Sequence, residues 1–503
     1  MNEDLQSATC SATSTPATAS VGAESVGGAA SVAVVQTESQ QTTKVEPHNV
    51  VGVGTETVSD TRRKRSTRFT MVKAIAIICV VLSHAGISGW LSHFVFIFHV
   101  PIFFLCAGYF FHTKYLNDAH SFVMHRVKGL YWPFVRWSVF FLVLHNLLFT
   151  CGILSEQPQF GNATMGVLHP YNWTQWSQHL WSIVFNMSGY NDFLCGAFWF
   201  FRALFVASLL FLVLFKILRK NSRFAQDKQA GWALLGCGVL LTLWKTTCGL
   251  HVTGLAQGGY RELLGLSFMA AGFLLRQYKV MERLTWKVAV PCAVLLLVAS
   301  FLFPSSMAFN GKTLDFVSIF LPAIAAFIAI AYGCQFIDRR DTFVKRSLVH
   351  IGDNTLYIFA FHIVAFKVVS ALKVACYGLP WEAVGGHPTV LNPASNVLWV
   401  ILYLIAGVGL PLLWMAGYRR VHVYVKKGEA RGVELLLTAG DYLLKGLEIA
   451  LKGLLAGLVF LVLNFRKLSV AALKGIGRFF LGIYRGIKQT IKDIMSASSP
   501  EDE

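Results

Sequence analysis

The stretch "MVKAIAIICVVLSHAG", residues 71–86, decides the fold: it reads as the opening of a membrane span, with a lysine near one end and a histidine near the other. Around it, 55% of the 503 residues are hydrophobic and 14% aromatic, more apolar side chains than one soluble core can hide. The expectation is an all-α, polytopic membrane protein. Ten apolar segments approach the ~20 residues that a bilayer core demands. They lie near 69–88, 94–112, 131–153, 197–217, 230–249, 261–277, 286–304, 315–336, 351–372 and 395–417.

The ends of the chain differ from this middle. Residues 1–60 are rich in Ser, Thr, Ala, Val and Gly and lack aromatic residues, a composition expected of a disordered tail. No charged head, apolar core and small-residue cleavage site opens the chain, so the first span is expected to be its own targeting signal. Residues 428–503 mix Lys, Arg and Gly among Leu, Ile and Phe at near-helical spacing, as in amphipathic helices lying on a membrane surface. Lys452 interrupts a candidate eleventh span at 447–465. The membrane domain is thus expected to occupy 61–427.

Basic residues set the expected orientation. "RRKR" at Arg62–Arg65 precedes the first span, and every second loop carries Lys and Arg, whereas none occurs between Arg136 and Arg202. Positive loops stay on the cytoplasmic side, which puts both termini in the cytoplasm and the protein in the plasma membrane. The formal charge of +18 follows from that topology and from attraction to anionic lipid, so no nucleic-acid partner is expected. The ten cysteines are singles without metal-ligand spacing, and no metal is expected. Cys151, Cys195, Cys248 and Cys376 fall near the outer face, where a disulfide requires an oxidising compartment.

Lys73 and His84 are eleven residues apart, about three helical turns, and so share one face about 16 Å apart along the axis. That suits an elongated ligand with an anionic end at the cytoplasmic boundary and a reacting end deeper in, the shape of coenzyme A. The plain alternative is a snorkelling lysine and a histidine bonded to a neighbouring carbonyl. In "FHVPIFF", Pro101 displaces the carbonyl of Ile97, leaving an acceptor in the membrane that His99 or a bound hydroxyl would satisfy.

"FTMVKAIAIICVVLSHAG", "FIFHVPIFFLCAGYFF" and "FVMHRVKGLYWPFV" resemble the opening of the membrane-bound acyltransferase family 3, O-acyltransferases that decorate surface carbohydrates. "FWFFRALFVASLLF", "RELLGLSFMAAGFLL" and "HIGDNTLYIFAFH" resemble its later spans in the same order, and the likeness covers about 66–418. The resemblance implies that Lys73 and His84 are the functional basic residue and histidine of the first span, with lysine where arginine is commoner. It also implies an acyl-CoA site at an Arg-x-x-Arg pair opening the third span. Here Gly129 stands three residues after Arg126, so the pair is broken, and Lys128 and Arg136 complete a different cationic cluster.

Acyl transfer needs a base on the acceptor hydroxyl, a task that fits neutral imidazole. His84 is the expected base, with an acetyl-histidine intermediate as the competing route. His99 or Arg202 would donate to the oxyanion. Asp192, Glu262 and Asp353 are candidates to orient a histidine or to pair with Arg202. Trp199 and Arg202 are expected on the acceptor side, where aromatic rings either line a carbohydrate groove or anchor the interface. The loop before them carries Asn-x-Ser/Thr triplets at Asn162, Asn172 and Asn186. Asn354 and His362 open and punctuate the ninth segment. Acetyl-CoA as donor and a cell-surface or lipid-linked carbohydrate as acceptor complete the expectation. The alternative is a transporter or flippase with buried His and Arg along its path, against which stands the lack of an internal repeat.

Overall fold

A computed structural model describes residues 66–155, 169–188, 193–252, 255–303, 305–307, 313–391 and 396–426, with positions 453, 485 and 488. The expected N-terminal tail, Asp192, and, apart from those three positions, the C-terminal amphipathic segment lie outside the described residues. The chain divides into two compact units, Met1–Met415 and Ala416–Glu503, and the site lies wholly in the first.

Every regular element among the described residues is helical: α1 (Thr67–His84), α2 (Gly89–Phe98), α3 (Pro101–Tyr109), α4 (Ala119–Arg126), α5 (Trp132–Thr150), α6 (Trp173–Asn186) and α7 (Trp199–Leu218). There follow α8 (Asp227–Thr247), α9 (Tyr260–Gln277), α10 (Trp286–Leu302), α11 (Thr313–Asp338), α12 (Phe343–Asp353), α13 (Thr355–Tyr377) and α14 (Val397–Lys426). Seven segments are long and apolar enough to cross a membrane: α1, α2 with α3, Ala119–Thr150, Leu194–Leu218, α11, α13 and Val397–Val421. The expected ten is not reached on this measure. Helices α8, α9 and α10 sit where spans are expected, but α10 has only 17 residues, α9 holds Arg261, Glu262 and Arg276, and α8 is charged at both ends.

Three local features depart from the simple pattern. Gly86, with φ of 86°, ends α1 in the left-handed region that a side chain would resist. The second span breaks at His99–Val100 before Pro101, and there Nδ1 of His99 bonds the carbonyl of Val95 at 2.7 Å, not that of Ile97. The third span starts at Ala119 instead of 131, because α4 runs through a π-helical turn at Val127–Tyr131 into α5.

Helix α1 is enclosed by α11, α12 and α13. Helices α3 and α9 run side by side in one direction: Phe104 meets Gly265, Gly108 lies on the Met269 carbonyl, and Arg276 bonds the carbonyls of Tyr109 at 3.3 Å and Phe111 at 3.2 Å. A Cβ on Gly108 or Gly272 would strike the opposite backbone, so only glycine permits this approach. Helix α7 follows the same direction, with Arg202 beside Glu262 and Ser208 beside Met269.

Candidate functional site

The unbroken course of α1 keeps Lys73 and His84 on one face, as the spacing predicts. Both are buried, at 8% and 4% exposure, so Lys73 does not snorkel into open solvent and His84 does not point into lipid. The His84 ring meets that of His362 on α13, with centroids 5.3 Å apart. His362 shares its Nδ1 between the carbonyls of Phe359, at 2.8 Å, and Ile358, at 3.1 Å. A carbonyl can only accept, so that nitrogen carries the proton and Nε2 keeps its lone pair. His362 Nε2 has no hydrogen-bond partner among the described residues.

A third imidazole approaches the same place from the loop after α13. His387 is buried and lies within electrostatic reach of Lys367, His84 and His362. Burial holds it neutral far below the usual imidazole range, and the neighbouring Lys367, His84 and His362 add to that effect. Lys367 Nζ donates to the carbonyls of Gly386, at 2.7 Å, and Val384, at 3.0 Å. Sequence reasoning passed over Lys367 and Lys373 inside "AFKVVSALKVACY", although ammonium groups in an apolar run are themselves a functional signal.

The expected acceptor-side residues form a second cluster at the starts of α7 and α9. Trp199 is fully buried and is no interfacial anchor; the guanidinium of Arg261 lies 4.1 Å from its ring centre. Arg202 pairs with Glu262, Nε to Oε1 at 3.4 Å, with both side chains buried. The register of α3 along α9 puts His99 at the level of Tyr260–Glu262. Phe359 links the two clusters: its ring lies 5.1 Å from Phe201, 6.1 Å from Phe200 and 6.4 Å from His362.

The proposed donor-site cations separate. Arg126 is buried, with its guanidinium 4.8 Å from the Phe122 ring centre. Lys128 and Arg136 are exposed, and Arg136 lies along Trp137 at 5.7 Å. Asn354 bonds the His350 carbonyl at 2.8 Å and joins α12 to α13, a structural duty. Cys151, Cys248 and Cys376 are exposed free thiols, and Cys195 is buried.

No curated protein and no solved structure matches the chain. A family model described as an acyltransferase domain matches residues 67–416, which takes in every helix that builds both clusters. With buried histidines at the end of α1, the sequence motifs and this match in agreement, the chain belongs to the acyltransferase family 3.

Proposed function

We propose that the protein is a plasma-membrane O-acyltransferase that moves an acetyl group from cytoplasmic acetyl-CoA to a hydroxyl of a cell-surface or lipid-linked carbohydrate. The observation that carries this reading is the buried pair of imidazoles, His84 and His362, at the end of a continuous helix whose other buried ionisable group is Lys73. Lys73 and Arg126 meet the phosphates of the donor, whose slender arm spans the about three turns to His84. His84 takes the hydroxyl proton as the hydroxyl oxygen attacks the thioester carbon; the C–S bond then breaks and the imidazolium returns a proton to the leaving thiolate. His362 Nε2, an acceptor by its tautomer, lies beside that ring and orients it. Arg202 is held by Glu262, so it supports the acceptor side as part of a pair and is no free oxyanion donor. Positive loops favour cytoplasmic termini and hence donor entry from the Lys73 end.

The test is incubation of native membranes with acetyl-labelled acetyl-CoA. Wild type should place label in membrane glycan or glycolipid, and His84→Ala should place none above background. Label-free glycans with wild type, together with uptake of a glycan into vesicles, would instead establish a transporter.

A further inference from the structure

The loop between α13 and α14 is fastened at more points than a connection needs. Lys367 holds the carbonyls of Val384 and Gly386, and Lys373 holds that of Val390 at 2.7 Å. Tyr403 accepts the Val390 N–H at 3.3 Å and is itself bonded to Ser370 at 3.1 Å. Trp381 donates to the Cys151 carbonyl at 2.8 Å, and Gly385 fits closely against Leu154 and Ser155. Two buried ammonium groups are a costly way to secure a loop that Ala383, Val384 and Val390 already pack by apolar contact. What the lysines add is placement. Their bonds bracket His387, with Gly386 immediately before it and Val390 three residues after. Lys367 also lies on the same helix as His362, only about 7.5 Å along the axis.

Resting on the acyl-transfer reading, we propose that His387 is an acceptor-binding residue, presented beside His84 and His362 by a loop that Lys367 and Lys373 grip through its carbonyl oxygens. His387 gives one hydrogen bond to the incoming hydroxyl and aligns it for His84, without taking the proton itself. Kept neutral by burial and by basic neighbours, it is suited to orienting a hydroxyl and poorly suited to removing its proton. Its ligand is an alcohol, which the acyl-transfer reading makes a hydroxyl of a sugar. Lys367 is a positioning residue that acts through the loop.

The experiment uses the full chain in native membranes, with two readouts. Transfer is read as label from acetyl-labelled acetyl-CoA entering membrane glycan. Donor binding is read separately, as the rise in melting temperature that unlabelled acetyl-CoA gives the detergent-solubilised protein. His387→Phe should lower transfer about tenfold, the worth of one hydrogen bond to a bound hydroxyl, while leaving the acetyl-CoA shift as in wild type. His387→Gln, which can still bond a hydroxyl, should restore most of the transfer, and Lys367→Met should behave like His387→Phe. The proposal is overturned if His387→Phe transfers like wild type, if it loses donor binding and transfer together, or if Gln restores nothing. A wild type that binds acetyl-CoA but labels no glycan removes the parent reading and this one with it.

Discussion

The two buried polar clusters resolve the same problem, charge inside an apolar bundle, in opposite ways. At the starts of α7 and α9, Arg202 has Glu262 and Arg261 has the face of Trp199, so cation, anion and ring answer one another within the protein. Around His84, His362 and His387 the charged and titratable neighbours that shift His387 are Lys367 and the other two imidazoles, and Lys367 is met by main-chain carbonyls. A cluster balanced from within is architecture that holds helices together. A cluster of imidazoles beside one another carries the side chain best suited to proton transfer near neutral pH.

Substitutions can break this contrast, the largest effect coming from the imidazole cluster. His84→Ala should lower transfer by about a thousandfold, the usual worth of a general base, with the melting temperature of the solubilised protein near that of wild type. In the arginine cluster the response should be reversed. Glu262→Leu leaves Arg202 buried without its carboxylate and should cost about 3 kcal/mol of stability, seen as a lower melting temperature and a lower yield of folded protein. The double change Arg202→Met with Glu262→Leu should recover much of that loss, because Arg202 is then no longer a buried charge stripped of its partner. Should the single change leave stability intact, the cluster is not architectural.

Smaller effects sharpen the comparison along α1. Lys73→Ala should weaken acetyl-CoA binding by roughly tenfold and Lys73→Arg by much less, measured by the donor-induced thermal shift. The smallest effect concerns pH. His387 stays neutral when seated, whereas in the unfolded chain it gains a proton below about pH 6.5. Acidification therefore favours the released form: the stability contribution is intact above about pH 6.5 and falls by about 1 kcal/mol by pH 5.5. His387→Gln should remove that slope from the melting temperature measured against pH.

Much of this was legible in the sequence where the signal is local. The interval from Lys73 to His84 specifies a shared helix face, and an intact α1 delivers it. Pro101 predicts a displaced carbonyl in the second span, and the structure breaks the helix there, although the carbonyl that His99 bonds is that of Val95, two residues before Ile97. The pairing of Arg202 with Glu262 was one of two readings, and only the parallel course of α7 and α9 selects it. Helix α6 was hidden behind its tryptophans. Its sign was the Asn172 and Gln175 spacing, whose side chains cap each other's backbone N–H groups at 2.9 and 3.1 Å. His387 was not legible, because nothing near it in the chain resembles a site and its neighbours arrive through the return of a loop. The ten expected spans are not all long and apolar enough by length and composition alone: α9 carries Arg261, Glu262 and Arg276, although Arg261 and Glu262 are buried against other helices.

The lysine clasp grips peptide oxygens, which every residue carries regardless of its side chain. Between the two anchors, changes at residues 387–389, of which His387 and Thr389 are buried, leave the bonds of the fastening in place when they keep side-chain volume. Volume-keeping changes at this point that retain a hydrogen-bonding group at position 387 offer a direct way to redirect which alcohol is accepted, with the thioester end left untouched.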